Sequence, residues 1–160
     1  MLVELLCVVV LNMGIPNAQL ACDHMEDVVE AADINRIDPA ILISLIHHES
    51  RWKATAVSPR GACGLTQVLP KYTRNPKLTC RQLKNPQTSI HAGAHALARW
   101  LEKTQYTQSR ALCAYNAGYS CGKRYRKGHG GWRYSRKVRQ LAKKIRQQLR
   151  AVETEYDDGC

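Results

Sequence analysis

The chain has 160 residues, 44% of them hydrophobic, which is enough to close one real core and suits a single domain. Phe is absent, so Leu, Ile, Val, Ala, Trp and Tyr must fill that core. The formal net charge of +11 favours a polyanionic partner (nucleic acid, anionic lipid or a cell-wall polymer) without choosing among them, and the lack of any CxxC pair argues against a zinc ribbon or thioredoxin-type site.

The N-terminus reads MLVELLCVVVLNMGIPNAQLAC. Its apolar run from Leu5 to Leu11, followed by Gly14, Pro16 and small residues, has the length of a signal-peptide core and is too short for a comfortable membrane span. Against this, Glu4 and no Lys or Arg precede the run, cleavage near Ala18 or Ala21 fits the small-residue rule imperfectly, and QLAC is only a loose lipobox. Residues 1–21 are therefore expected to direct export, with a retained N-terminal helix as the rival reading. Cysteine usage supports export. Setting Cys7 aside with the leader leaves six: Cys22, Cys63, Cys80, Cys113, Cys121 and Cys160. An even set in a small exported domain reads as disulfides, whose pairing the sequence does not fix.

Residues 23–34 follow as an amphipathic helix with Met25, Val28, Val29 and Ala32 on one face. Asp38–Pro39 is a good N-cap and first-turn pair, so the next helix is predicted over 38–50. Within it Ile41, Leu45 and Glu49 stand at i, i+4 and i+8, which puts a carboxylate on an aliphatic stripe. Burying that carboxylate is unfavourable unless it is protonated or used. The plain alternative is a glutamate at a fraying helix end, turned to water.

The stretch from Lys53 to Pro76 is rich in Pro, Gly and Ser and reads as loop, with a short helix near Leu65–Pro70. Helical spacing returns over 88–103, with Ile90, Ala94, Leu97 and Leu101 in register, and again over 108–117. Residues 121–133 are Gly-rich and basic, as expected of a surface loop. The last helix, SRKVRQLAKKIRQQLR, aligns Val138, Leu141, Ile145 and Leu149. Residues 121–150 hold twelve Lys or Arg and no acid. Such a face favours a polyanion, or serves only as a solvated surface. No alternating run suggests a sheet, so the fold is expected to be all-α. Residues 22–150 form the domain and 151–160 an acidic tail.

Three motifs line up behind Glu49: HESRW (48–52), SPRGACGLTQVLP (58–70) and AYNAG (114–118). In this order they resemble the soluble lytic transglycosylases, the goose-lysozyme-like peptidoglycan lyases. SIHAGAHALARWL and YSRKVRQL match that family's later helices, so the likeness spans roughly residues 23–148. It implies a single lysozyme-like, goose-type helical domain. It implies Glu49 as the sole catalytic acid/base, with Ser50 orienting substrate or carboxylate. Gln67 would bond N-acetyl or hydroxyl groups, Tyr115 would hold the surroundings of Glu49, Asn116 would bond the glycan, and Tyr134 would stand near the cleft. Gly61 and Gly64 would let the backbone pass close to the sugar chain. Thr66, where the family commonly has Met, leaves one sugar subsite's shape open. The likeness to small secretion- and conjugation-associated members implies a Cys22–Cys80 bridge.

The same resemblance implies cleavage of the MurNAc–GlcNAc β-1,4 bond with 1,6-anhydro-MurNAc ends. The residues agree with a one-carboxylate mechanism, because ordinary glycosidases need two. From Ser50 through Val152 the chain has one acid, Glu102, while Asp33 and Asp38 precede the catalytic helix. A lysozyme-type hydrolase using one of these is the runner-up. A basic envelope- or nucleic-acid-binding module on the same scaffold is the reading from another class, and no specific nucleic acid is expected. His47 and His48, or His91 and His95 at i, i+4, raise a metal reading, but HHESR is not H-E-x-x-H, so neither metal nor cofactor is expected. Expected partners are peptidoglycan glycan strands, anionic envelope surfaces met by the basic C-terminal region, and a secretion or conjugation machine or phage particle. The expected location is the periplasm or cell envelope, or a virion or lysate if phage-encoded.

Overall fold

The computed structural model describes residues 1–123 and 130–158. Nine α-helices are assigned among them: α1 (Leu2–Asn12), α2 (Ala18–Asp23), α3 (Met25–Ile34), α4 (Pro39–Ser50), α5 (Cys80–Leu83), α6 (Pro86–Lys103), α7 (Gln108–Ala117), α8 (Ser120–Lys123) and α9 (Gly130–Asp158), with a 3-10 turn at Pro70–Tyr72. No strand is assigned among the described residues. Two isolated antiparallel bridges, Val57 with Cys63 and Cys63 with Val68, fold the motif-bearing loop back on itself. The all-α expectation holds.

Helix α4 is the centre of the fold. Asp38 caps it, its Oδ1 accepting from the Ala40 N–H at 2.8 Å, and Pro39 opens the first turn. Every residue from Ala40 to Ile46 is buried, so the helix is enclosed on all faces and the expected single stripe understates it. Ser44 fits inside because its hydroxyl donates to the Ala40 carbonyl at 2.6 Å. Helices α3 and α9 flank α4, and α6 and α7 complete the shell. Asn85 caps α6 through the Thr88 N–H at 3.0 Å, two residues earlier than the apolar spacing alone places its start. Ile90, Ala94 and Leu97 are buried as predicted. The helix expected over 23–34 is broken at His24 into α2 and α3.

Both ends of the described chain are helical. The apolar N-terminal run is α1, with Leu6, Val9 and Val10 buried in the main core and the helix set against α2, α3 and α9. Residues 1–21 are thus a packed layer of this structure. At the other end α9 runs on to Asp158, so the acidic tail is helical that far. Part of the predicted 121–133 loop is helical, and its residues 124–129 lie outside the described residues.

The disulfides correct the expected Cys22–Cys80 bridge. Cys22 pairs with Cys7, which the leader reading had set aside, because the α1–α2 hairpin brings their Cα atoms to 4.9 Å. Cys80 pairs with Cys63 across 5.5 Å, tying the motif-bearing loop to α5, and Cys113 pairs with Cys121 across 5.9 Å. Cys160 lies outside the described residues.

Candidate active site

Glu49 sits in the last turn of α4, where the enclosed helix emerges. The chain then reverses sharply. Arg51 and Trp52 both adopt left-handed backbone, at φ 52° and 60°, a conformation unfavourable for residues with a Cβ. Two contacts hold it. Trp52 is fully buried, and the Asn17 side-chain amide donates to the Arg51 carbonyl at 2.9 Å. The helix end that presents Glu49 is therefore held in part by a residue distant in sequence, Asn17.

The Glu49 carboxyl is half-buried, and desolvation raises its pKa from 4.5 to about 7. The Tyr134 hydroxyl works the other way, favouring the anion from close by without reaching hydrogen-bond geometry. Tyr115 donates its hydroxyl to the Thr66 carbonyl at 2.7 Å. Burial first, and then the neighbouring Glu49 charge, push both tyrosines well above the usual phenol range, so they remain neutral donors. Glu49, Tyr115 and Tyr134 thus come together from α4, α7 and α9.

The GLTQ turn adjoins this group through the Thr66 carbonyl. Gln67, at φ 51°, donates its side-chain amide to the Ala56 carbonyl at 3.1 Å and the Gly64 carbonyl at 2.9 Å. Both partners are acceptors, so the NH₂ must face them, and its two protons are committed. What remains for a ligand is the amide oxygen, an acceptor. The sequence reading allowed a donor as well. Thr66 is fully buried, with its hydroxyl donating to the Ser89 carbonyl at 2.7 Å and its side chain against Gly93. Its place is inside the turn.

The glycines need a different account from the one expected. A Cβ on Gly64 would collide with the Leu83 carbonyl and lie 2.7 Å from Ser89 Oγ, so the close approach there is internal. Gly61 is needed for its φ of 80° and has open space where a Cβ would stand. Ser50 donates to the Ile46 carbonyl at 3.3 Å, within its own helix. Asn116 is exposed beside Tyr115 on the last turn of α7, ahead of Gly118, which takes the positive φ of 63° at the cap. Trp52, Thr66, Ser89 and Asn17 were not singled out as supports from sequence, and no local spacing marks them.

The other acids stand apart. Asp38 is at the opposite end of α4, about 16 Å from Glu49 by helix rise, and pairs with Arg146 at 2.6 Å. Asp33 and Glu102 are exposed on α3 and α6. Among the described residues no carboxylate contributes to the Glu49 shift. His47 and His48 adjoin Glu49, and burial pushes both imidazoles down, keeping them neutral near pH 7. His91 lies instead with Asp27 and Glu30, its Nε2 3.8 Å from Glu30.

Comparison with known proteins places this arrangement. Over 90 residues the chain is 30% identical to membrane-bound lytic murein transglycosylase F of Pectobacterium atrosepticum, an alignment covering 52% of this chain and 18% of that protein. Its fold matches the lytic transglycosylase Slt of Pseudomonas aeruginosa, solved as an inactive mutant. That match has a TM-score of 0.70 at 18% identity and covers 91% of this chain and 30% of the other. The chain thus spans under a third of either relative. The model of the transglycosylase SLT domain matches residues 27–136. That span runs from α3 into α9 and takes in Glu49, Gln67, Tyr115 and Tyr134, and the chain belongs to the family of transglycosylase SLT domains.

Proposed function

We propose that the protein is a peptidoglycan lytic transglycosylase that cleaves the MurNAc–GlcNAc β-1,4 bond and leaves 1,6-anhydro-MurNAc ends, opening the wall locally. The observation that carries this reading is a lone carboxyl with a pKa of about 7 and no second carboxylate acting on it among the described residues. Such a group arrives largely protonated at neutral pH and donates to the leaving glycosidic oxygen. As the anion it then accepts the proton of the muramyl C6 hydroxyl, which attacks C1 of its own sugar. Intramolecular attack replaces an external water, so no base is needed to activate one. Tyr134 favours the anion formed midway. Tyr115 holds the Thr66 carbonyl, and with it the turn from which Gln67 offers its amide oxygen to a substrate N–H or hydroxyl. Ser50 orients substrate or the carboxylate, and Asn116 bonds the glycan.

Three disulfides fit an oxidising compartment, so the periplasm or cell envelope is the proposed location. No helix among the described residues is long and apolar enough to cross a membrane. Arg136, Lys137, Arg139, Lys143 and Lys144 are exposed on α9, and this face is proposed to hold the enzyme to anionic envelope surfaces. A secretion or conjugation machine, or a phage particle, is the proposed setting.

Mass spectrometry of muropeptides released from purified peptidoglycan tests the reading. Wild type should give products one water lighter than the reducing forms, and Glu49→Gln should give none. Reducing muramyl ends would instead establish a hydrolase, and binding without release would establish a binding module.

A further inference from the structure

The Glu49 chemistry leaves unused a second group of side chains, where α3 packs against α6. Asp27 and Glu30 stand one turn apart on α3, so they share a face. His91 reaches them from α6. One atom from each residue, two carboxylate oxygens and an imidazole nitrogen, lies within 4.8 Å of the other two. The chain carries 24 Lys and Arg against 13 Asp and Glu, yet among the described residues neither carboxylate is ion-paired with a Lys or Arg. Their pairing is with histidines instead, Asp27 with His24 and Glu30 with His91.

The distances suit an ion better than a direct contact. His91 Nε2 is 3.8 Å from Glu30 Oε2, too long for a hydrogen bond. A tetrahedral ion with bonds of about 2.0–2.1 Å holds its ligand atoms about 3.3 Å apart, so that gap is close to the edge of such a shell. Glu30 is the most exposed of the three and can close the rest by rotating its side chain. Asp27 is already oriented from both helices. Its Oδ1 accepts from the Gln87 side-chain amide on α6 at 2.8 Å, and its Oδ2 lies 2.8 Å from His24 Nδ1 at the start of α3. Outer partners of this kind fix metal-binding carboxylates, and each oxygen keeps a lone pair for an ion.

The donor set selects the metal. An imidazole among the oxygens disfavours magnesium and calcium, which take all-oxygen shells, and the lack of a thiolate disfavours copper(I). We propose that Asp27, Glu30 and His91 bind one zinc-class divalent cation, with water completing the shell, and that the ion clamps α3 to α6. The clamp is structural. Helix α6 also carries Ser89 and Gly93, against which Thr66 is packed, so the ion would brace the framework behind the GLTQ turn. The proposal does not depend on the peptidoglycan reading. Sequence spacing raised His91 with His95 as a metal pair, but the structure gives His91 two carboxylates from another helix, and no local motif records that meeting.

The test titrates zinc chloride into the full chain after EDTA treatment and exchange into chelator-free buffer. Calorimetry should show one equivalent bound. Zinc at a hundredfold excess over its Kd should raise the melting temperature by about 5–10 °C. His91→Ala and Glu30→Gln should each lose both signals while melting, without zinc, close to metal-free wild type. Gln87→Ala, which only releases the Asp27 carboxylate, should weaken zinc binding about tenfold or more. X-ray absorption of the wild-type complex needs no variant to fold, and should show nitrogen and oxygen at about 2.0–2.1 Å with no sulfur. Magnesium and calcium at the same concentration should leave the melting temperature unchanged. No zinc uptake by wild type, uptake undiminished in both ligand variants, a zinc–sulfur distance, or an equal shift with magnesium would each overturn the proposal.

Discussion

At residue 49 the position that makes the carboxyl useful also makes it unfavourable to ionise. Its pKa is about 7 in the folded protein, against 4.5 for an unburied glutamate, so the folded state holds a proton that the unfolded chain has released. Stability is therefore undiminished below about pH 4.5, declines as pH rises through 7, and is lower by about 3 kcal/mol above that. Glu49→Gln cannot ionise. It should be more stable than wild type by up to that amount in urea unfolding at pH 8, and should match it near pH 4. Lytic activity should fall as pH rises through about 7, because the donor is the protonated form. Tyr134→Phe removes a group that favours the anion, so it should move that basic limb to higher pH while lowering kcat. The candidacy of Glu49 as the acid came from the family motifs, and its place on the helix was legible in sequence because i, i+4, i+8 spacing is local arithmetic. Trp52 and Asn17 were not, since their hold on the helix end depends on where distant residues fold.

The element that shapes the site most is the loop from Val57 to Val68, which has two isolated bridges and no regular structure of its own. It is held by Gly64 against the Leu83 carbonyl, by Thr66 against Ser89, and by the Cys63–Cys80 disulfide. Gly64→Ala places a Cβ at positive φ and against a carbonyl. It should destabilise by about 3 kcal/mol or more, read as a lowered midpoint in chemical denaturation. Tyr115→Phe leaves the Thr66 carbonyl without its hydroxyl donor, and a loss of about 1–3 kcal/mol is expected. The helices of this layer were readable from adjacent residues, α4 by its Asp38–Pro39 cap and α6 by its apolar period, while the Asn85–Pro86 start of α6 was missed by two residues. The loop was readable as a motif but not as a shape. The sequence reading took Gly64 as room for a ligand, and the structure uses it as room for Leu83.

Across the whole molecule, long-range closure decides what the chain ends do. An apolar segment such as Leu5 to Leu11 suits a leader or a core helix equally by hydropathy, and in this structure Leu6, Val9 and Val10 are buried in the main core. Cysteine pairing failed for the same reason, being a property of which Cα atoms meet. Reduction should be costly at this scale. The bridges Cys7–Cys22 and Cys63–Cys80 span 15 and 17 residues, and each should contribute about 3 kcal/mol, visible as a drop in melting temperature on adding a thiol.

Thr66 and Gly93 carry a consequence for how this sequence can drift. A methyl at 93 would fall within the space of the Thr66 side chain, and the Thr66 hydroxyl is bound to Ser89, so it cannot step aside cheaply. The two positions are epistatic. Gly93→Ala should be poorly tolerated alone and partly rescued by Thr66→Gly, so drift at this pair should favour position 66 shrinking first.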